Sequence, residues 1–496
     1  MAGPDGAARR VMVVVLDSME IAWLDEHLAS GALPNLAAFA AGSQRMGTTS
    51  QGEVLHGSIW PTWATGLQPG KHGIYFWSQW QAEKMGYFRN TDPLLDFDPF
   101  WSELRNDGRT ATILDVSYVR AVRSPGFRTA SSWGTHDEME PVSYPDDFLH
   151  SLNKIYGKHP LSFDVVEPVT KRQKLEMVRD LRRGIHKRAK VLRDLAARRD
   201  WDFLAVSFGE THKAVHYLAS AEELRPGTTN QDAIAAILNP LDRAWPSILE
   251  AAGEDCDVIL MSLHGITEQV KFDGFGSQIL DIFAGRAPYD RFENEDLIRK
   301  IRNLMPTSLR HAVWRRIPAK MRASRHGALE TGTPDLAMQR VFRVPHDGHP
   351  AVRVNMAGRE RDGIVPPGED RALLDALEAL ARQFTTADGR VAFPGTWRST
   401  SEPGPLAHRL PDALLLANLE ITRTSELFGP DGIHLKSVQP EARNGVHTGK
   451  GFALLRLGGG RKVTRATADG VDFAPTILDL LDAKTQRSFD GTSFVS

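Results

Sequence analysis

The first long apolar run is Val11-Met12-Val13-Val14-Val15-Leu16, closed by Asp17. A β-branched run without polar alternation predicts a strand buried on both faces, as in a parallel sheet between helices. Similar short runs recur at Thr110–Val116, Phe203–Ser207, Val258–Ser262 and Ala413–Leu419. Between them, Leu175–Arg199 places apolar residues at three-to-four spacing and predicts an amphipathic helix. Strands alternating with helices predict an α/β fold with a doubly wound, mostly parallel central sheet. Such sheets bind ligands at the carboxyl ends of their strands. Asp17, Glu210 and His264 each stand at or just beyond the end of a predicted strand.

One stretch breaks this rhythm. From about Gly276 to Arg340 no buried strand is evident, and Arg310–Arg325 reads as basic, helical and Trp-containing. A chain of 496 residues exceeds one ordinary domain. The expected organisation is a catalytic domain begun by residues 1–275, a helical insertion over 276–340 that is either a solvated basic face or a lid, and completion of the catalytic domain by 341–496. Ala351–Asn355 alternates like a strand, with turns marked at Gly358 and Gly363.

Composition narrows the function classes. Sixty Lys+Arg against 62 Asp+Glu give a net charge of −2, so no global field recruits nucleic acid or anionic lipid. Cys256 is the only cysteine, which removes an internal disulfide and every Cys-rich zinc motif and favours a reducing compartment. The run Val11–Leu16 is too short for a signal or membrane segment, so a cytoplasmic location is expected.

Candidate chemistry is densest in Glu210-Thr211-His212-Lys213-Ala214-Val215-His216, directly after a predicted strand. A helical turn there puts His212 and His216 on one face. Two imidazoles beside a carboxylate suit a divalent ion such as Zn²⁺, although a His-x₃-His pair by itself is more often two surface histidines. Ser262-Leu263-His264-Gly265 ends a further strand, and its glycine is expected to let the chain turn sharply. In Ser58-Ile59-Trp60-Pro61, Ser58 reads as a helix N-cap with Pro61 in the first turn. A helix N-terminus there would favour an oxyanion or phosphate. Trp60, Trp63, Trp77 and Trp80 surround this segment as core residues or as stacking surfaces.

The stretch Trp60–Ile74, with Thr65-Gly66-Leu67-Gln68-Pro69-Gly70-Lys71-His72-Gly73-Ile74, resembles the helix-and-loop signature of the alkaline phosphatase superfamily, nearest its type I phosphodiesterase/nucleotide pyrophosphatase branch. Val13–Asp17 and Pro34-Asn35-Leu36 resemble the first strand and following segment, and Ser262–Gly265 its Ser-Asp-His-Gly motif. Arg353-Val354-Asn355, Gly358-Arg359-Glu360 and Gly363-Ile364-Val365 resemble a late block of bacterial members. Leu410-Pro411-Asp412, His447-Thr448-Gly449 and Val471–Ile477 resemble its closing segments in order.

The resemblance implies an alkaline-phosphatase-like α/β/α sandwich and a metal-dependent hydrolase of phosphate esters, phosphodiesterase or phosphomonoesterase. It implies one or two divalent ions, zinc by preference, and a phosphorylated small-molecule substrate. His216 and His447 match two ligands of the first metal, and His212 occupies its aspartate position. Asp17 and His264 match ligands of the second, with Glu210 a further ligand or an orienting group. Two departures stand out. Leu263 replaces the second site's aspartate, and the position ten residues before Gly66, where a Ser or Thr nucleophile is usual, is His56. Ser58 is the favoured attacking group with His56 as its neighbour, and His56 as the nucleophile itself or as a base for water is the alternative. These departures also support a different class of function, a catalytically lapsed member that binds a phosphorylated ligand or a protein.

Overall fold

The computed structural model describes residues 9–89, 97–134, 141–163, 168, 170–269, 272–289, 336–346, 348–437 and 443–496. Among these, nine strands form one sheet in the order Thr467–Asp469, Gln44–Thr49, Lys450–Arg456, Cys256–Ser262, Arg10–Leu16, Phe203–Phe208, Ala111–Leu114, Arg128–Ala130 and Ser143–Tyr144. The five strands from Cys256–Ser262 to Arg128–Ala130 are mutually parallel, while Lys450–Arg456 and Ser143–Tyr144 run against them. Arg10–Leu16 is central, with Val14 opposite Leu260 on one side and Val206 on the other. That placement explains its unbroken apolar run, since every residue of the strand is buried.

The sheet is covered on both faces. Met12, Val14 and Leu16 pack with Leu181, Ile185 and Leu192 of the helix Lys171–Arg198 and with Ile234, Leu238 and Leu241 of the helix Asn230–Ala252. Val11, Val13 and Val15 face the opposite layer, where Trp60 and Trp63 meet Phe473 and Ile477. Each such aliphatic side chain contributes about 1.5–3 kcal/mol by leaving water. Lys171–Arg198 begins at a capping box formed by Thr170 and Gln173. No described helix is long and apolar enough to cross a membrane.

One strand assignment is corrected. The run beginning at Ala413 joins a separate four-stranded antiparallel sheet, ordered Val341–Val344, Ala351–Val354, Ala413–Leu416, Gly395–Arg398. A short apolar run reports burial, not which sheet provides it. This sheet has its own apolar cluster, in which Val352, Val354 and Leu415 meet Leu377 and, from the helix Asp273–Phe283, Phe275 and Ile279. The late block serves it. Arg353 is fully buried and donates to Glu360, Leu410 O and His408 O, while Arg359 chelates Asp412. The chain returns to the central sheet only at Lys450, so residues 341–437 stand apart from it. Of the expected insertion, the helix Asp273–Phe283, the residues to 289 and residues 336–340 are described; Arg310–Arg325 lies outside the described residues.

Candidate metal centre

Adjacent parallel strands end on one rim, and that topology gathers the site. Asp17 follows Arg10–Leu16, the helix Gly209–Leu218 follows Phe203–Phe208, and His264 follows Cys256–Ser262. His447 arrives from the far end of the chain. The pair Ile266–Glu268 with Gly445–His447 sets Ile266 opposite His447 and brings its ring centroid to 4.9 Å from that of His264. The Gly265 backbone has an ordinary φ, so a sharp turn is not its reason. A Cβ there would lie 2.2 Å from the Glu20 carboxylate and 3.0 Å from the Lys450 carbonyl oxygen.

Two groups of metal-capable side chains result, His212/His216/His447 and Asp17/His212/His264, each with its ligand atoms within 4.8 Å of one another. His212 and His216 lie one helical turn apart, their Nε2 atoms separated by 2.8 Å. Each imidazole is oriented from behind. His216 Nδ1–H donates to Gly445 O at 2.9 Å, and His212 Nδ1 faces Asp17 Oδ2 at 3.1 Å. An imidazole that donates through Nδ1 presents Nε2 as an electron-pair donor. The two Nε2 atoms meet at hydrogen-bond distance, close enough for both to ligate one cation when neither carries a proton.

Burial keeps the other imidazoles neutral. It pushes His264 down to about 4, against the opposing pull of Asp17. Burial, then His216, His264, His56 and His212, hold His447 well below the ordinary histidine value. The buried Nδ1 atoms of His264 and His447 have no hydrogen-bond partner among the described residues. Neutral nitrogen donors in a water-poor rim fit a borderline-soft divalent cation.

Of the two roles expected of Glu210, the ligand role is the one to correct, because Glu210 is in neither group. Its carboxylate is fully buried beneath the helix, where Arg188 Nε donates to both oxygens at 3.0 and 2.9 Å and His159 Nε2 donates at 2.7 Å. A strand-end carboxylate can face the rim or the flanking helix, and here the buried guanidinium of Arg188 takes it. Glu210 anchors the first turn of the helix that carries His212 and His216.

The structure sets His56 against the histidine cluster and Ser58 in the buried start of the next helix. His56 stacks on His447 with ring centroids 5.0 Å apart and a 19° interplanar angle, and it touches Phe76 and His346 at 5.2 Å. Ser58 sits at the N-cap position of the helix Ile59–Thr65 without making a side-chain cap, and its buried Oγ bonds no described group. The turn that carries His56 needs a glycine next, since a Cβ on Gly57 would lie 2.4 Å from Phe76 Cα. Leu263 packs into the apolar layer with Val13, Val15 and Met261. Trp60, Trp63 and Trp80 are buried, while Trp77 is half-buried against Phe76.

Two residues at the site escaped sequence reasoning. Ser18 is fully buried between His264 and His212, and no motif marks it. His346 has Nδ1 at 3.0 Å from His349 O and Nε2 at 2.8 Å from Val54 O, and the pair His346/His349 was a visible signal.

The family model described as type I phosphodiesterase/nucleotide pyrophosphatase matches residues 11–445. Phosphonoacetate hydrolase from Sinorhizobium meliloti 1021, in complex with phosphonoacetate, aligns over 96% of this chain and 96% of its own, at 14% identity and a TM-score of 0.53. Inactive murine ectonucleotide pyrophosphatase/phosphodiesterase 5, in complex with AMP, aligns over 98% of this chain and 100% of its own, at 12% identity and a TM-score of 0.50. At these identities the likeness is one of fold. No curated protein matches the sequence.

Proposed function

Because the chain belongs to the type I phosphodiesterase/nucleotide pyrophosphatase family, metal-dependent phosphoester hydrolases of the alkaline phosphatase superfamily, we propose that its activity centres on a zinc ion held by His212, His216 and His447. The observation that carries this is the pair of Nε2 atoms 2.8 Å apart, each on an imidazole whose Nδ1 faces an oxygen. When bound, the cation supplies charge neutralisation to a phosphoryl group and acidifies nearby water. Three neutral nitrogens leave that charge undiminished, whereas an aspartate at position 212 would offset part of it.

The chain's own groups divide the remaining tasks. Asp17 and the Gly445 carbonyl hold the imidazoles of His212 and His216 in one tautomer. Glu210, fixed by Arg188 and His159, sets the start of their helix. His56, stacked on His447, takes the position of the usual hydroxyl nucleophile. An imidazole there accepts a proton from attacking water, so the reading is direct hydrolysis without a phosphoserine at Ser58. The substrate class is a phosphate ester, and the lone cysteine supports a cytoplasmic setting.

The test is zinc content and turnover of bis(4-nitrophenyl) phosphate in His216→Ala and His447→Ala. Loss of both quantities together supports the reading. Retention of zinc and turnover in either variant places the cation elsewhere.

A further inference from the structure

Ser18 is the first residue beyond Asp17, and its hydroxyl sits between His264 and His212. Oγ is 2.7 Å from His264 Nε2 and 3.0 Å from His212 Nδ1. The backbone there has φ 60°, the left-handed region that a residue with a Cβ adopts at a cost, and one that glycine accepts freely. A strained serine with no solvent exposure persists where its side chain is held by what surrounds it.

What surrounds it is the place of a second cation. Such an ion would draw on Asp17, His264 and the residue at 263. Leu263 offers no donor and packs into the apolar layer. Asp17 Oδ2 is engaged with His212 Nδ1, and His264 Nε2 with Ser18. The His212 Nδ1–H can be shared between Asp17 Oδ2 and Ser18 Oγ while the Ser18 hydroxyl donates to His264 Nε2, so Ser18 joins His264 to His212 without a metal.

We propose that this chain holds one divalent cation per molecule, and that Ser18 is the positioning residue that closes the second place by bridging His264 and His212. The proposal rests on His212, His216 and His447 as the ligands of the first ion. It assigns Asp17 to orienting His212 instead of to ligating a second metal.

Equilibrium dialysis of chelator-stripped protein against micromolar Zn²⁺ tests this by stoichiometry. Wild-type protein should bind one equivalent. Ser18→Gly, which suits the backbone, and Ser18→Ala, which keeps its strain, should each bind a second, weaker equivalent. The second equivalent should disappear again in Ser18→Gly/His264→Ala. Two equivalents in the wild type, or one in both single variants, would overturn the proposal. No equivalent in the wild type would overturn the first cation site, and this inference with it.

Discussion

Replacing Arg188 with methionine removes the cation from a fully buried cluster that holds two carboxylates. Arg188 Nε donates to both Glu210 oxygens, Nη1 to Asp115 Oδ2 at 2.6 Å, and Nη2 to Gly134 O at 2.8 Å. Asp115 also accepts the backbone N–H groups of Trp133 and Gly134. His159 Nδ1 accepts from Leu161 N–H, which leaves the ring proton on Nε2 for Glu210. Burial pushes the Glu210 carboxyl up, but Arg188 and His159 together hold it below its ordinary value.

Methionine fills a similar volume, so the cost is mainly electrostatic. Removing one partner of a buried ion pair costs about 3–5 kcal/mol. At roughly 2.1 cal/mol/K per residue, a chain of this length unfolds with an entropy of about 1 kcal/mol/K, so Tm should fall by about 3–5 °C. Glu210 sits in the first turn of the His212/His216 helix, so zinc affinity should weaken by about tenfold as well. Differential scanning fluorimetry and zinc titration read the two effects. Arg188→Met/Glu210→Gln should recover part of the lost stability, because it removes a stranded charge and leaves His159 an acceptor. An unchanged Tm in Arg188→Met, or strictly additive losses in the double variant, would refute the reasoning.

The remaining predictions concern the turn at His56 and one perturbed carboxyl. His56→Ala should lower turnover of an aryl phosphodiester by about 10²–10⁴-fold, whereas Ser58→Ala should stay near wild type and no phosphoserine should be trapped; a phosphorylated Ser58 would reverse the assignment. Gly57→Ala forces the turn away from the Phe76 backbone and should cost about 1–3 kcal/mol, read as a lower midpoint in urea. Glu402 is pushed up to about 7 by burial and then by Asp469. Folding therefore favours its protonated form, and the stability from this group, complete below its unfolded value near 4.5, is lost as pH rises to 7. Glu402→Gln should melt higher than wild type at pH 8, with the difference gone at pH 4.

Legibility in the sequence followed from how local each signal was. Arg10–Leu16, Phe203–Phe208 and Cys256–Ser262 were readable because a strand buried on both faces has no polar phase, and their ends marked Asp17, Glu210 and His264 as rim residues. The run at Ala413 was readable as a strand but not as a member of a second sheet, since partner choice is a long-range property. Lys450–Arg456, an antiparallel strand within a mostly parallel sheet, carried no sign of its direction. The choice between ligand and orienting group at Glu210 was open for a related reason. Its ring of partners comes from Arg188 and His159, on elements 22 and 51 residues away. Ser18 was invisible because its role lies in a positive φ and two contacts beyond 190 residues. His447 was placed by its resemblance to a closing segment, and the pairing of Ile266 with His447 supplies the physical reason.

The dependence of hydrolysis on a cation at His212, His216 and His447 is tested most directly by turnover of bis(4-nitrophenyl) phosphate as zinc is returned to chelator-stripped protein. Turnover should be absent in the stripped protein, rise in proportion to added zinc and level off at one equivalent, with no recovery in His447→Ala. Full turnover in the stripped protein, or equal recovery in His447→Ala, would contradict it.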